Sequence, residues 1–229
     1  MVTDERTDED LDADLADMDR RIAKYEAKAT DHERAGGASR ETGLLWIIAS
    51  FIGMFASAML LLSERTYLQN PAANLLCDVN PLIGCSKWFT AWQGALLFDV
   101  PNALWGALFF AGLIGLGLVL VTGGRLHRAL WILSLAGVSL GVVWVVWFGY
   151  QSYFVERSIC PYCVVVWVAV IPLFVHLLAR TLQAGHLGDG ATAAGSALVR
   201  NRWLLVGAAY LTLVVVTVVA FWNSWALVF

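Results

Sequence analysis

The four cysteines of this 229-residue chain form two pairs, Cys77 with Cys85 in the run CDVNPLIGC and Cys160 with Cys163 in the run CPYC. Two cysteines three positions apart at the start of a helix can interconvert between a disulfide and a dithiol with little backbone movement. The positive end of the helix dipole stabilises a thiolate there, and Pro161 suits the first turn because its missing N–H is not needed. The CPYC spacing therefore predicts a thiol pair poised for exchange.

Two cysteine pairs are compatible with three kinds of chemistry. In a redox relay, a mobile pair meets a soluble protein and a pair on a rigid helix meets an acceptor within a membrane. Alternatively, Cys77 and Cys85 form a plain stabilising disulfide in a loop, or all four cysteines bind zinc. A zinc site needs four ligands closed around the metal, whereas Cys160 and Cys163 lie at the end of an apolar helix. We therefore favour the redox interpretation and predict no metal site.

The segments that must position these cysteines are long apolar runs. A bilayer is crossed by about 20 apolar residues, and five runs of about this length contain no Asp, Glu, Lys or Arg: residues 43–62, 100–121, 129–150, 161–179 and 203–222. Only 14% of the chain is charged, whereas a soluble domain has about a quarter. The predicted fold class is an all-α membrane protein with a four-helix transmembrane catalytic bundle. The fifth transmembrane helix is predicted to be peripheral, because it has no Cys, His or acidic residue.

Basic residues between the spans predict how the chain is oriented. Arginines precede the first span and lie between the second and third and between the fourth and fifth, namely Arg40, Arg125, Arg128, Arg180, Arg200 and Arg202. These segments share one side when all five spans cross, and their positive charge places that side in the cytoplasm. We predict a multi-pass plasma-membrane protein with a cytoplasmic N-terminus. Its C-terminus and all four cysteines would be extracytoplasmic, where disulfides persist.

The segments outside the spans differ in composition. Residues 1–41 contain 13 acidic and 7 basic residues, and we expect a disordered tail with a transient charged helix over 8–28. The tail is not a signal peptide, because the first apolar run begins about forty residues into the chain. The predicted divisions are an acidic cytoplasmic tail over 1–42, a catalytic bundle over 43–180 with an outer cysteine loop over 63–99, a flexible cytoplasmic linker rich in Gly, Ala and Ser over 181–202, and the fifth helix with a short outer C-terminus over 203–229.

The cysteine runs and their surroundings resemble a known family. The run CDVNPLIGCSKWFTAWQGALLFDVPNALWG, followed by CPYC on a later membrane helix, is similar to vitamin K epoxide reductase and its bacterial homologues. The resemblance covers roughly residues 43–180, which match the family's four-helix bundle. The fifth helix resembles that of bacterial members, in which it leads to a fused thioredoxin-like domain. Since the sequence ends at Phe229, we expect no such domain here.

The resemblance implies a role for each cysteine. Cys77 would exchange with a reduced, extracytoplasmic thioredoxin-like protein. Cys85 would relay the exchange to Cys160. Cys163 would react with, or donate charge to, the ring of a membrane quinone, either menaquinone or ubiquinone. All four cysteines are therefore predicted to be catalytic.

The resemblance also implies a quinone pocket beside the last cysteine, capped by a short interfacial helix over Ser86–Gly94. Asn102 matches the asparagine that hydrogen-bonds a quinone oxygen, although an Asn that follows Pro at a helix start is often a cap. Trp167 stands where the animal enzymes have a tyrosine, and Ala91 stands where many members have a hydroxyl residue. An indole can donate one hydrogen bond but cannot accept one. Both departures favour reduction of a quinone over reduction of an epoxide.

The predicted function is that of a quinone-dependent oxidoreductase that reoxidises a thioredoxin-like protein and so supports disulfide bond formation. The partners are that protein, the quinone and the lipid bilayer, with no nucleic acid. The other bacterial quinone-linked disulfide generator has its CxxC before the spaced pair, which is the reverse of the order here. A transporter or structural membrane protein whose outer loops are merely stabilised by disulfides is the rival from another class. Transport usually leaves ionisable residues or broken helices at the membrane midplane, and these spans lack Asp, Glu, Lys and Arg.

Overall fold

The computed structural model describes residues 10, 12–18 and 28–223. Within that part of the chain the regular structure is helical, and β-pairing is limited to three isolated bridges. Three short turns of other helix types are Trp92–Gly94, Gln151–Val155 and Asp189–Ala191. Residues 10 and 12–18 are helical. The α-helices that follow them are α1 (Asp31–Arg34), α2 (Arg40–Gln69), α3 (Ser86–Phe89), α4 (Asn102–Val121), α5 (Arg128–Tyr150), α6 (Pro161–Gln183) and α7 (Thr192–Ala220).

Five helical segments are long and apolar enough to cross a membrane: Arg40–Gln69, Asn102–Val121, Arg128–Val155, Pro161–Gln183 and Asp189–Ala220. The prediction of an all-α, multi-pass membrane protein is therefore confirmed. Helix α2, the first spanning helix, continues past its apolar run to Gln69. The outer loop therefore begins after Gln69, later than the predicted start at residue 63. Asn70 caps this helix before Pro71, and the residue before a proline is disfavoured in helical conformation.

The segment predicted as a flexible linker over 181–202 is mostly helical, so that prediction is wrong in its extent. Helix α6 runs to Gln183 and α7 begins at Thr192. Alanine has the highest helix propensity, which explains why the Ala-rich start of α7 is helical. A Cβ at Gly195 would overlap the backbone of Gln183. This glycine therefore permits close packing of α7 on the end of α6.

The helices pack around α6, which contacts α2, α5 and α7, while α4 packs on α2. Small residues allow α2 and α4 to approach closely, because a Cβ at Gly53 would overlap the ring of Phe110. The buried core between the helices is rich in large side chains, including Trp46, Phe110, Trp131, Leu173 and Leu177. This packing fixes the relative positions of the helix ends that carry the site.

The ends of α2, α5 and α7 lie with the starts of α4 and α6, and we call this the cysteine end of the bundle. At the opposite end, residues 28–39 dock on the helix ends. The buried Arg180 donates to the carbonyl of Gly37 at 3.1 Å and to Gln183 Oε1 at 2.7 Å. Trp131 Nε1 donates to Gly36 O at 3.0 Å. Of the charged helix predicted over 8–28, residues 10 and 12–18 are helical, whereas 8, 9, 11 and 19–27 lie outside the described residues.

Candidate active site

The outer cysteines lie in the loop between α2 and α4, where Cys77 and Cys85 form a disulfide with Cα atoms 5.7 Å apart. Asp78 fixes the second of them, because its Oδ1 accepts from the N–H of Cys85 at 2.6 Å and from that of Ser86 at 3.1 Å. These bonds satisfy two of the free donors at the start of α3. Both cysteines are buried, with 2% of Cys77 and 0% of Cys85 exposed. The outer disulfide is thus buried, within a cluster of side chains from its own loop and from neighbouring segments.

A short backbone pairing joins this loop to the segment before α6. The N–H of Gly84 donates to Ile159 O at 2.9 Å, and the N–H of Ile159 donates to Leu82 O at 2.8 Å. Cys85 directly follows Gly84, and Cys160 directly follows Ile159. As a result, Cys85 Sγ lies 3.7 Å from Cys160 Sγ, although 75 positions separate the two residues in the chain.

The CPYC run begins α6, as the sequence predicts. Cys160 is the N-cap, Pro161 is the first helical residue, and the N–H of Cys163 donates to Cys160 Sγ at 3.3 Å. Cys163 Sγ lies 2.6 Å from Cys160 Sγ, and both residues are free cysteines. The four sulfurs therefore follow one another in the order Cys77, Cys85, Cys160 and Cys163. The disulfide occupies two of these sulfurs, so the zinc alternative lacks two of its four thiolates in this state.

An apolar cavity of about 330 Å³ adjoins the last sulfur, and Cys163 is among the residues that line it. Its wall is formed by α2, α4, α5, α6 and the segment around α3. Cavities of roughly 300–1,000 Å³ with apolar walls and few polar groups are typical of small-molecule sites. The aromatic lining residues are Trp88, Phe89, Trp105, Phe109, Phe110, Trp144, Phe148 and Trp167.

Asn102 lines this cavity at the first turn of α4. Its Nδ2 donates to Gln93 O at 2.6 Å, and its Oδ1 accepts from the N–H of Leu96 at 3.2 Å. The N-cap position of α4 is held by Pro101, without a side-chain capping bond. The side chain of Asn102 thus anchors the segment that follows α3 and does not cap its own helix. One Nδ2 hydrogen is left for a ligand.

Trp167 also lines the cavity, and only 3% of it is exposed. Its ring meets that of Tyr153 edge to face, with centroids 5.8 Å apart. The hydroxyl of Tyr153 in turn shares a hydrogen bond with Thr217 Oγ1 at 2.8 Å. Trp167 is therefore held by a contact chain that reaches α7.

The fifth helix is peripheral to the bundle, as predicted, and its end packs against the site. Phe221 is fully buried, and its ring lies edge-on to Tyr153 at 5.7 Å. Arg157 donates to Ala220 O at 2.7 Å. Sequence reasoning missed these residues because the fifth helix contains no Cys, His or acidic residue and no motif connects its end with the site. The remainder of α7 is largely exposed on the bundle surface.

Comparison with known families gives one finding. The sequence model of the Vitamin K epoxide reductase family matches residues 44–178. That match spans more than half of the 229 residues. It contains all four cysteines, Asn102 and Trp167.

Proposed function

This chain belongs to the Vitamin K epoxide reductase family, and from that membership we propose that it oxidises a soluble dithiol protein and passes the electrons to a membrane quinone. Membership makes the protein a membrane oxidoreductase. The observation that carries the finer proposal is the row of four sulfurs, which begins in a loop and ends at an apolar cavity. Its central step, from Cys85 to Cys160, spans 3.7 Å.

The row of sulfurs supports a sequence of thiol–disulfide exchanges. A thiolate of the partner attacks Cys77 Sγ, forms a mixed disulfide with it and releases Cys85 as a thiolate. The Cys85 thiolate attacks Cys160 of an oxidised Cys160–Cys163 pair and releases Cys163 as a thiolate. The second thiolate of the partner then displaces Cys77, which leaves the partner oxidised. The freed Cys77 attacks Cys85, restores the outer disulfide and leaves the inner pair reduced.

The cycle closes when the inner dithiol returns to a disulfide, which releases two electrons and two protons. A quinone supplies the capacity to accept both, so the overall change is a partner dithiol plus quinone to a partner disulfide plus quinol. The residues around the cavity fit such an acceptor. The aromatic walls suit a flat ring, Cys163 is adjacent, and Asn102 retains one N–H for a carbonyl oxygen. Trp167 offers an indole N–H but no acceptor, so we propose quinone reduction and not epoxide reduction.

Because the outer disulfide is buried, the attack of the partner thiolate on Cys77 requires a movement of the protein. With 2% of Cys77 exposed, a folded partner reaches its sulfur only after the loop moves. The residues on either side of Cys77 and Asp78 are open to solvent, since 86% of Leu76 and 67% of Val79 are exposed. We propose that the partner is a thioredoxin-like protein that engages the loop at these side chains and draws Cys77 out.

The orientation that this function needs is the one that the charges favour. Arg40, Arg128 and Arg202 lie at the end of the bundle opposite the cysteines, and an excess of arginine marks the cytoplasmic side of membrane proteins. We therefore propose that the cysteine end is extracytoplasmic, in the plasma membrane. Disulfides made at that end persist, because the compartment is oxidising.

Quinone reduction by the purified protein, driven either by dithiothreitol or by a reduced thioredoxin-like protein, tests this proposal. Cys160→Ser and Cys163→Ser should abolish turnover with both reductants, because the inner pair delivers the electrons. Cys77→Ser and Cys85→Ser should abolish turnover only with the protein, since a small dithiol reaches the inner pair directly. Equal loss of dithiothreitol-driven turnover in Cys77→Ser and Cys163→Ser would refute the two-stage relay.

A further inference from the structure

The contact between Cys85 and Cys160 is flanked by a second tie, made by side chains. Lys87, two residues after Cys85, donates from Nζ to Glu156 O at 2.5 Å and pairs with Glu156 Oε2 at 3.0 Å. Gln93 Nε2 donates to Glu156 Oε1 at 3.4 Å. Glu156 lies four residues before Cys160. We call these three residues the clasp.

The clasp and the backbone pairing connect the Cys85 and Cys160 segments at different points of the chain, the pairing before Cys85 and the clasp after it. The pairing uses Leu82 and Gly84, which belong to the loop between Cys77 and Cys85. Exposure of Cys77 to a partner requires that loop to move, so the movement strains the pairing. Lys87 lies beyond Cys85 on α3, so the clasp is anchored outside the loop that must move.

We propose that Lys87 and Glu156 are positioning residues that keep Cys85 Sγ within reach of Cys160 Sγ during the exchange between the two pairs. The inference rests on the proposed relay. The ion pair is partly exposed, with side-chain exposures of 47% for Lys87 and 27% for Glu156. Such pairs contribute little to global stability, so this one affects the local approach of two sulfurs and not the fold. The electrostatic attraction between Lys87 and Glu156 weakens as salt is added.

Gln93 connects the clasp with Asn102 at the cavity. Its side chain bonds to Glu156, while its carbonyl oxygen accepts from Asn102 Nδ2. The segment from α3 to Gln93 is therefore fixed at its start by Asp78 and at its far end by Glu156 and Asn102. This arrangement restricts movement of α3 relative to Cys160.

The test measures the effective concentration of Cys85 toward Cys160 directly. In a chain that carries Cys77→Ser and Cys163→Ser, these are the two remaining thiols, and a glutathione redox titration reports how readily they form a disulfide. Adding Lys87→Met should lower the effective concentration by roughly 3- to 10-fold, which corresponds to the loss of one exposed ion pair and one charged hydrogen bond. Adding Lys87→Arg should leave it within about twofold of the parent, because Arg keeps the charge and the donors.

The matched control is Arg65→Met, which removes the same charge from an exposed residue at the cysteine end of α2. An effect of Lys87→Met no larger than that of Arg65→Met overturns the proposal. So does a loss in Lys87→Met that coincides with a lower melting temperature and is not rescued by Lys87→Arg. The titration needs neither quinone nor partner protein. Its result therefore tests the positioning role of Lys87 independently of whether the proposed relay operates. The relay is tested separately by quinone turnover of the wild type.

Discussion

Asn102 gives the sharpest test of how the cavity is built, because each side-chain atom has a different partner. Asn102→Ala removes the Nδ2 bond to Gln93 O at 2.6 Å and the Oδ1 bond to Leu96 at 3.2 Å. Asn102→Asp keeps an acceptor for the N–H of Leu96 but places a carboxylate oxygen against the carbonyl of Gln93. An ionised carboxylate also has no N–H for a quinone oxygen. We expect both variants to lose quinone-dependent activity.

The expected magnitude follows from the bonds that are lost. Two neutral hydrogen bonds contribute about 0.5–1.5 kcal/mol each, so Asn102→Ala should weaken the anchoring of the 93–96 segment by about 1–3 kcal/mol. If the cavity depends on that segment, kcat/KM for quinone should fall by roughly 5- to 150-fold. Asn102→Asp should lose at least as much, since a repulsive contact replaces the shorter bond.

The assay is quinone reduction at saturating dithiothreitol with varied quinone, together with thermal unfolding of each variant. Asn201→Ala is the matched control, because Asn201 is an exposed residue of α7 whose Nδ2 bonds to its own helix at Ala197 O. It should leave both measurements unchanged. A wild-type kcat/KM and a normal melting temperature in Asn102→Asp would refute the reasoning, since neither the Gln93 bond nor a donor to the quinone would then matter.

Two further predictions concern the opposite end of the bundle and the orientation. Arg180→Met should lower the stability of the protein by about 1.5–3 kcal/mol, through loss of buried charge-assisted hydrogen bonds to Gly37 and Gln183. It should also expose residues 28–39 to protease, and unchanged melting and unchanged cleavage would contradict this. A reporter fused after Phe229 should be active only outside the cytoplasm. Cytoplasmic activity of that reporter would exclude the proposed five-span orientation.

The amino-acid sequence alone determined the features that depend on local pattern. Five uncharged apolar runs predicted five spanning helices, because a bilayer leaves backbone groups no partner except within a helix. The CPYC run predicted the start of α6, since Pro161 fits a first helical turn and Cys160 precedes it. The even number of spans between the two cysteine pairs, namely two, also predicted that both pairs share one end of the bundle. Each of these inferences uses a local pattern of residue types, or a count of such patterns along the chain.

Other sequence patterns were ambiguous, because composition does not distinguish flexibility from close packing. The Gly, Ala and Ser residues after Arg180 are typical of a flexible linker. The structure uses Gly195 instead to bring α7 against the backbone of Gln183. Likewise, Asn102 after Pro101 is equally compatible with a helix cap and with a site residue. Only the tertiary structure shows that the side chain of Asn102 bonds to Gln93 and Leu96 and so anchors the 93–96 segment.

Only the tertiary structure decided which groups of the site meet. The 3.7 Å approach of Cys85 to Cys160 depends on pairing between Gly84 and Ile159, two segments with no shared sequence signal. The Lys87–Glu156 pair and the packing of Phe221 on Tyr153 likewise join segments more than sixty positions apart. Cys77 is buried in a cluster that brings its loop together with residues of later segments. Such contacts form when helices dock, because burying apolar surface and satisfying backbone donors favours one arrangement of segments that no local pattern specifies.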